Sequence, residues 1–260
     1  MPRLALLLSA LLAAAPLPAQ PPAPLPADLH LLPAAPDPKP RPWAIFFPRA
    51  AGVGTLAPGN QYADLAAFLN ERGIDVVVVD DDAALKRLDP SGSAGEKRAA
   101  IAVDALRRLR EQDRFDTRCP GLVIGWSRGG EGALTLASSA RGTDSGIRAA
   151  IVYYPSVGGQ PSPWPQHMPV LALQGTADGI APAKKLETLV ANRAENHAYP
   201  FVVKLYSGAK HRFDVAHPVD DPASAKIEKD FDAKAHADAL AAIDAFLSEQ
   251  AIGGTSCAPD

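Results

Sequence analysis

The residues best suited to chemistry lie in the segment Gly125–Gly130, whose sequence is GWSRGG. An apolar run, 122–124, precedes this segment, and a helix-like run, 131–138, follows it. A serine between glycines at a strand-to-helix junction is typical of a nucleophile elbow, which holds the serine in a strained turn and lifts its Oγ clear of the sheet. Glycines flank Ser127 because larger side chains would collide with the neighbouring strand and helix. The competing interpretation is a tight turn that carries a solvated serine.

A serine hydroxyl becomes an effective nucleophile only when a neighbouring base accepts its proton and a further group orients that base. Two later segments of the chain offer these groups. Asp178 follows the apolar run 169–174, and His211 follows the apolar run 201–206. Because active sites of open parallel sheets collect at the carboxyl ends of the strands, we expect Ser127, Asp178 and His211 to form a catalytic triad.

Another histidine and other acids compete for these roles. His217 lies close to His211 and is the strongest alternative base. Three consecutive aspartates, Asp80–Asp82, follow the strand-like run 74–79 and precede the serine. The expected chain order is serine, acid and then histidine. We therefore interpret Asp80–Asp82 as polar residues of a loop or as a contact to the pocket.

Apolar runs and helix-like segments alternate along the chain. We predict strands at 44–47, 74–79, 122–124, 149–154, 169–174 and 201–206, and helices at 62–72, 95–112, 131–138, 183–193 and 233–250. This alternation predicts an α/β fold with a mainly parallel, doubly wound sheet. The connection 156–167 is short and rich in proline and glycine, so we expect no large cap domain over the sheet.

Composition narrows the class of protein. A chain of 260 residues with 47% hydrophobic residues can bury one sizeable core. The formal net charge is −3 and no long basic run occurs, which argues against a nucleic-acid partner. The histidines and cysteines lack the spacing of a zinc site. The sequence therefore indicates neither a metal nor a cofactor, and it defines no oligomeric state.

The amino-terminal residues 1–19 have the basic start, apolar stretch and small-residue cleavage site of a signal peptide, which predicts a periplasmic or secreted protein. Eleven of the 26 prolines lie within 16–42, so we predict a poorly ordered linker at 20–42. The folded domain is then 43–252 and the tail 253–260. No later apolar stretch is long enough to anchor the mature chain in a membrane.

The chain has two cysteines, Cys119 and Cys257. An even number of cysteines in an exported protein favours a disulfide. Such a bond would tie the tail to the base of the sheet and close a long loop. The alternative is a pair of free thiols.

The chain resembles the dienelactone hydrolase family of α/β-hydrolases. The matching motifs are Gly125–Gly130, then Gly175–Asp178 with Pro182, then Gly208–Phe213, and the resemblance spans roughly 43–250. It implies an α/β-hydrolase fold and a small ester or lactone as the substrate. The family's founding enzymes have a cysteine nucleophile, where this chain has Ser127. They also carry a His-Glu pair where this chain has 47–49, Phe-Pro-Arg, so we expect a serine enzyme acting on other esters.

The resemblance also implies how the transition state is stabilised. One oxyanion donor is the backbone N–H of Arg128, the residue after the nucleophile. The second donor comes from the loop after the first predicted strand, at Arg49 or Ala50. The expected function is that of an exported serine esterase that works through an acyl-enzyme on Ser127. Alternatives are a non-catalytic binding protein with the same fold, and an acyl-transferase or a peptidase with the same triad.

Three side chains are candidates for substrate contacts: Trp126, Arg128 and Trp164. Arg128, with Arg49 opposite, would hold a substrate carboxylate, but we favour a salt bridge between Arg128 and Glu131 on the first turn of the helix. Trp164 flanks the pocket or, equally well, packs within its own loop.

Overall fold

The computed structural model describes residues 24–34, 40–112, 114–116, 118–195, 198–216, 230–253 and 257. Within these ranges seven strands form one sheet in the order β1-β3-β2-β4-β5-β6-β7. The strands are β1 (Leu29–Leu32), β2 (Trp43–Phe47), β3 (Asp75–Val79), β4 (Gly121–Trp126), β5 (Ile147–Tyr153), β6 (Val170–Gly175) and β7 (Phe201–Tyr206). Strands β2 to β7 are parallel, and β1 alone pairs antiparallel, with β3. The predicted α/β class is confirmed.

Helices cover both faces of the sheet. They are α1 (Gln61–Asn70), α2 (Asp81–Leu88), α3 (Ala94–Glu111), α4 (Arg128–Ala137), α5 (Ala140–Asp144), α6 (Ala183–Ala191) and α7 (Ala233–Glu249). Helices α1 and α7 pack on one face, and α2, α3, α4 and α6 pack on the other. Strand β4 is buried along its whole length, since a parallel strand between two helical layers has no solvent-facing side. The doubly wound arrangement is therefore confirmed.

The connection between β5 and β6 agrees with the expectation of an open core. Residues 154–169 are all described and contain no helix. No helix of the described ranges is long and apolar enough to cross a membrane. The predicted signal peptide, 1–19, and all of the predicted tail except 253 and 257 lie outside the described residues.

The prediction of a poorly ordered linker up to Trp43 is wrong for strand β1. Strand β1 pairs with β3 over its four residues. Asp28, directly before β1, accepts hydrogen bonds from Arg87 at 3.0 Å and from Arg108 at 2.8 and 3.1 Å. Sequence patterns show proline content but not these distant partners, which hold the segment against the sheet.

The interpretation of Asp80–Asp82 as loop polarity is also wrong. These residues begin helix α2, which the sequence analysis did not predict. The side chain of Asp80 caps the helix by accepting from the amide of Ala83 at 3.1 Å. Asp81 is buried and forms an ion pair with Arg98 of α3 at 2.6 Å. The aspartates thus secure the contact between α2 and α3.

The predicted disulfide is present. Cys119, just before β4, is bonded to Cys257, and their Cα atoms are 5.2 Å apart. The bond spans 138 residues and joins the amino-terminal end of the sheet to the carboxyl-terminal region. Closing so long a loop restricts the unfolded chain strongly.

The Asp28 ion pairs predict a pH-dependent contribution to stability. Burial raises the pKa of Asp28, but hydrogen bonds and charges from Arg108 and Arg87 outweigh it, so the pKa lies below its ordinary value of 3.8. A lowered folded-state pKa stabilises the fold above the unfolded pKa, and this stabilisation disappears as the pH falls through the folded-state value. We expect Asp28→Asn to lower the free energy of unfolding at pH 7 by about 1–3 kcal/mol.

The measurement is urea unfolding of the wild type and the variant from pH 7 down to pH values below 3.8. The difference between the two proteins should shrink at the acid end. Glu111→Gln is a control, because Glu111 pairs with Arg107 on an exposed surface, where ion pairs contribute little to stability. A difference that stays constant over the whole pH range would contradict the assignment.

Candidate active site

Ser127 lies at the turn between β4 and α4, in the geometry expected of a nucleophile elbow. Its backbone has φ 52° and ψ −113°, a conformation that costs energy in a residue other than glycine. The turn is held from two sides. The amide of Ser127 donates to the carbonyl of Tyr153 at 3.0 Å, and its own carbonyl accepts from the amide of Ser156 at 2.9 Å.

The two flanking glycines are required by close backbone contacts. A Cβ at Gly125 would lie 2.3 Å from the carbonyl oxygen of Gly129 in α4, and one at Gly129 would lie 2.1 Å from the carbonyl oxygen of Phe47 in β2. Both distances are far too short for any side chain. The sequence-based reason for these glycines, collision with helix and strand, is therefore confirmed.

The structure brings Ser127, His211 and Asp178 together. Nε2 of His211 lies 3.2 Å from Oγ of Ser127, and Nδ1 of His211 lies 2.7 Å from Oδ2 of Asp178. The three residues follow β4, β7 and β6 at the carboxyl edge of the sheet. All three are buried, so water competes little for their hydrogen bonds. His217, the competing base, lies outside the described residues.

Asp178 is held as a carboxylate by the turn that follows it. Its Oδ1 accepts from the amides of Ile180 and Ala181, both at 2.8 Å. Burial raises the pKa of Asp178, but the hydrogen bonds from His211 and from these two amides outweigh burial, so the pKa lies below the ordinary value. A charged Asp178 favours the tautomer of His211 with its N–H on Nδ1, an arrangement in which Nε2 can accept a proton from Ser127.

Comparison with known protein families identifies the family of the chain. A model of the dienelactone hydrolase family matches residues 72–251. The chain belongs to the dienelactone hydrolase family. Membership of this family makes the protein a hydrolase of ester bonds. No curated protein sequence matches the chain.

Solved structures share the family fold at low sequence identity. Esterase 2 of Thermogutta terrifontis phosphorylated by paraoxon has 17% identity and a TM-score of 0.58, over 88% of this chain and 90% of that one. The butyrate-bound form of that esterase also has 17% identity and a TM-score of 0.58, over 88% and 91%. A candidate dienelactone hydrolase of Klebsiella pneumoniae has 19% identity and a TM-score of 0.59, over 86% and 92%.

The sequence analysis missed one residue that supports the triad of this member of the dienelactone hydrolase family. Gln174, at the end of β6, is completely buried. Its amide nitrogen donates to Oδ2 of Asp178 at 3.2 Å and to the carbonyl of Ala181 at 3.0 Å. Gln174 therefore ties the acid to the loop that carries it. A glutamine inside an otherwise apolar run was the available signal.

The two suggested oxyanion donors in the loop after β2, Arg49 and Ala50, have different surroundings. The amide of Arg49 donates to the hydroxyl of Tyr62 at 2.9 Å, so it is already engaged within the protein. Ala50 is the second residue of a turn closed by the amide of Gly52 and the carbonyl of Arg49 at 3.0 Å. Arg128 is the first residue of α4, where a helix leaves its amide without an intrahelical acceptor.

The two tryptophans proposed to touch the substrate are fully buried. Trp126 packs among aromatic rings on the α1 and α7 face of the sheet and donates to Asp214 at 2.8 Å. Trp164 donates to Gln160 at 3.0 Å and packs against Phe201. The loop-packing alternative for Trp164 is thus the one observed, and the proposed substrate contact of Trp126 is wrong.

Arg128 has an exposed side chain at the start of α4. Among the described carboxylates, Glu131 included, none forms a salt bridge with it, so the favoured pairing with Glu131 is wrong. Glu131 is instead buried against the Gly159 loop. Burial raises the pKa of Glu131, although the positive charges of Arg98 and Arg128 oppose that shift.

The role of Gln174 predicts a loss of activity when its amide is removed. We expect Gln174→Met to lower kcat/KM by about 10- to 100-fold, because Asp178 loses a fixed partner and His211 is then held less firmly. The matched control is Gln166→Met. Gln166 is also buried and donates to the carbonyls of Met168 and Pro200, at the opposite end of β6.

Both variants should lose about 1–3 kcal/mol of stability, because each leaves buried carbonyl groups without donors. Only the change at 174 should reduce the rate. Ester hydrolysis and thermal unfolding of the two variants check this expectation. Equal rates in both variants would show that Gln174 contributes to stability alone.

Proposed function

We propose that the protein is an exported serine hydrolase that cleaves carboxylic esters or lactones through an acyl-enzyme formed on Ser127. The hydrogen-bonded chain from Ser127 through His211 to Asp178 is the observation that supports this function most directly. The strained backbone of Ser127 adds support, because such a turn presents the hydroxyl group to a substrate.

The proposed reaction begins when His211 takes the proton of Ser127 as the serine oxygen attacks the ester carbonyl. Asp178 stabilises the imidazolium form of His211 while the tetrahedral intermediate exists. His211 then protonates the departing alkoxide, which leaves an acyl group on Ser127. A water molecule, activated by the same histidine, hydrolyses this acyl-enzyme and regenerates the serine.

Two backbone amides are proposed to stabilise the oxyanion. The amide of Arg128 follows the nucleophile and has no intrahelical acceptor. The amide of Ala50 is the second donor in this proposal, because that of Arg49 is bound to Tyr62. Preorganised amides of this kind act only on the charge that develops in the transition state.

Export is supported by the signal-like residues 1–19 and by the disulfide between Cys119 and Cys257. Disulfides persist in oxidising compartments such as the bacterial periplasm and the extracellular space. We therefore assign the mature enzyme to the periplasm or to the secreted fraction, with a small-molecule ester or lactone as the substrate.

Ser127→Ala tests the catalytic proposal. We expect hydrolysis of p-nitrophenyl acetate and butyrate to fall by about 10⁴- to 10⁶-fold, because the nucleophile is removed and the remaining groups act as a unit. Ser138→Ala is the matched control, since Ser138 closes the other end of α4. Paraoxon should also add one phosphoryl group to wild-type Ser127, detected by mass spectrometry. Full activity in Ser127→Ala would refute the proposal.

Ala50→Pro tests the second oxyanion donor. Proline has no amide hydrogen, and it is favoured at the second position of a turn such as the one that begins at Arg49. We expect kcat to fall by about 10²- to 10³-fold with little change in folding. Ala50→Ser keeps the amide and should remain active. A normal rate in Ala50→Pro would show that the second oxyanion donor is a residue other than Ala50.

A further inference from the structure

A buried carboxyl group that takes no part in the proposed reaction lies close to His211 in the chain. Asp214 follows His211 by three residues and shares its turn. It is buried among aromatic side chains of the α1 and α7 face. Burial raises the pKa of Asp214, although hydrogen bonds from Tyr154 and Trp126 oppose that shift. A well-packed apolar residue would occupy such a place at lower cost.

Both oxygens of Asp214 are bound to residues that adjoin the triad. Oδ2 accepts from Nε1 of Trp126 at 2.8 Å, and Oδ1 accepts from the hydroxyl of Tyr154 at 2.8 Å. Trp126 is the last residue of β4 and directly precedes Ser127. A single carboxyl group therefore connects the nucleophile turn with the segment that follows β5.

Tyr154 carries the connection to the catalytic base. Its ring centroid lies 4.4 Å from that of His211, the closest pair of rings among the described residues. Its backbone has φ 36°, an uncommon value for a bulky residue and one that surrounding bonds must maintain. Its amide donates to the carbonyl of Leu173 at 2.8 Å, and its hydroxyl is fixed by Asp214.

We propose that Asp214 is a positioning residue that sets the distance between Ser127 and His211 by holding Trp126 and Tyr154 at once. This inference rests on the proposed function of the Ser127 triad. The carboxyl group fixes the plane of the tyrosine ring, and that ring limits where the imidazole can lie. The indole fixes the end of β4, from which the serine is presented.

The substitutions Asp214→Asn and Tyr154→Phe test this role. Asparagine has one acceptor oxygen, so it satisfies only one of the two donors. Phenylalanine keeps the ring against His211 and removes only the hydroxyl. Tyr206→Phe is the matched control, because Tyr206 packs on Phe213 in the same aromatic cluster and its buried hydroxyl has no hydrogen-bond partner among the described residues.

The rate of acylation is measured by stopped flow with a p-nitrophenyl ester and expressed per serine titrated by paraoxon. We expect Asp214→Asn and Tyr154→Phe to slow acylation by about 10- to 100-fold, since small displacements of reacting groups are costly. The dissociation constant of the substrate should change by less than about twofold, because only the reacting groups move. Tyr206→Phe should match the wild type.

The double variant Asp214→Asn/Tyr154→Phe should slow acylation by less than the product of the two single effects, because Asp214 and Tyr154 act through one hydrogen-bonded unit. Should Asp214→Asn fail to fold, Tyr154→Phe still decides the matter. A wild-type rate per titrated serine in Tyr154→Phe, with only a lower melting temperature, would overturn the proposal and leave Asp214 a structural role. Activity retained in Ser127→Ala would instead refute the underlying catalytic function.

Discussion

The contact between the start of α4 and the end of β2 is the constraint on which the site depends. No side chain fits at Gly129, because a Cβ there would lie 2.1 Å from the carbonyl oxygen of Phe47. This contact sets how close the helix sits to the sheet, and the strained backbone of Ser127 (φ 52°) follows from it. Parallel strand pairing then places the ends of β6 and β7 beside the same turn, so the acid and the base reach the serine without long loops.

A second layer of buried polar groups holds the triad in place. Gln174 binds Asp178, and Asp214 binds the residues next to Ser127 and His211. Each buried polar atom costs desolvation energy unless it is bonded, and here the bonds run between different strand ends. A displacement of one strand-end loop is therefore opposed by the loops that are bonded to it. Rigid support of this kind keeps reacting atoms within the narrow tolerance that catalysis needs.

The sequence predicted the parallel sheet, the elbow, the triad order and the disulfide, since each follows from local pattern or from chain order. It failed where the outcome depends on distant partners. Strand β1 is held by Asp28 with arginines of α2 and α3, and no local pattern in a proline-rich segment reveals them. Trp126 was a candidate for a substrate contact, but its side chain is buried in the core, and alternation along a strand sends neighbouring side chains to opposite faces of the sheet.

A serine nucleophile makes this supporting layer more important than a cysteine nucleophile would. A thiol can ionise near neutral pH when its surroundings are electropositive, whereas a serine hydroxyl needs a base in place at the moment of attack. In the proposed mechanism, the rate therefore depends on where Nε2 of His211 lies, at 3.2 Å from Oγ of Ser127 in this structure. His211 is held by Asp178 on one side and by the ring of Tyr154 on the other. A serine nucleophile at 127 therefore depends on the buried polar groups that fix these two partners.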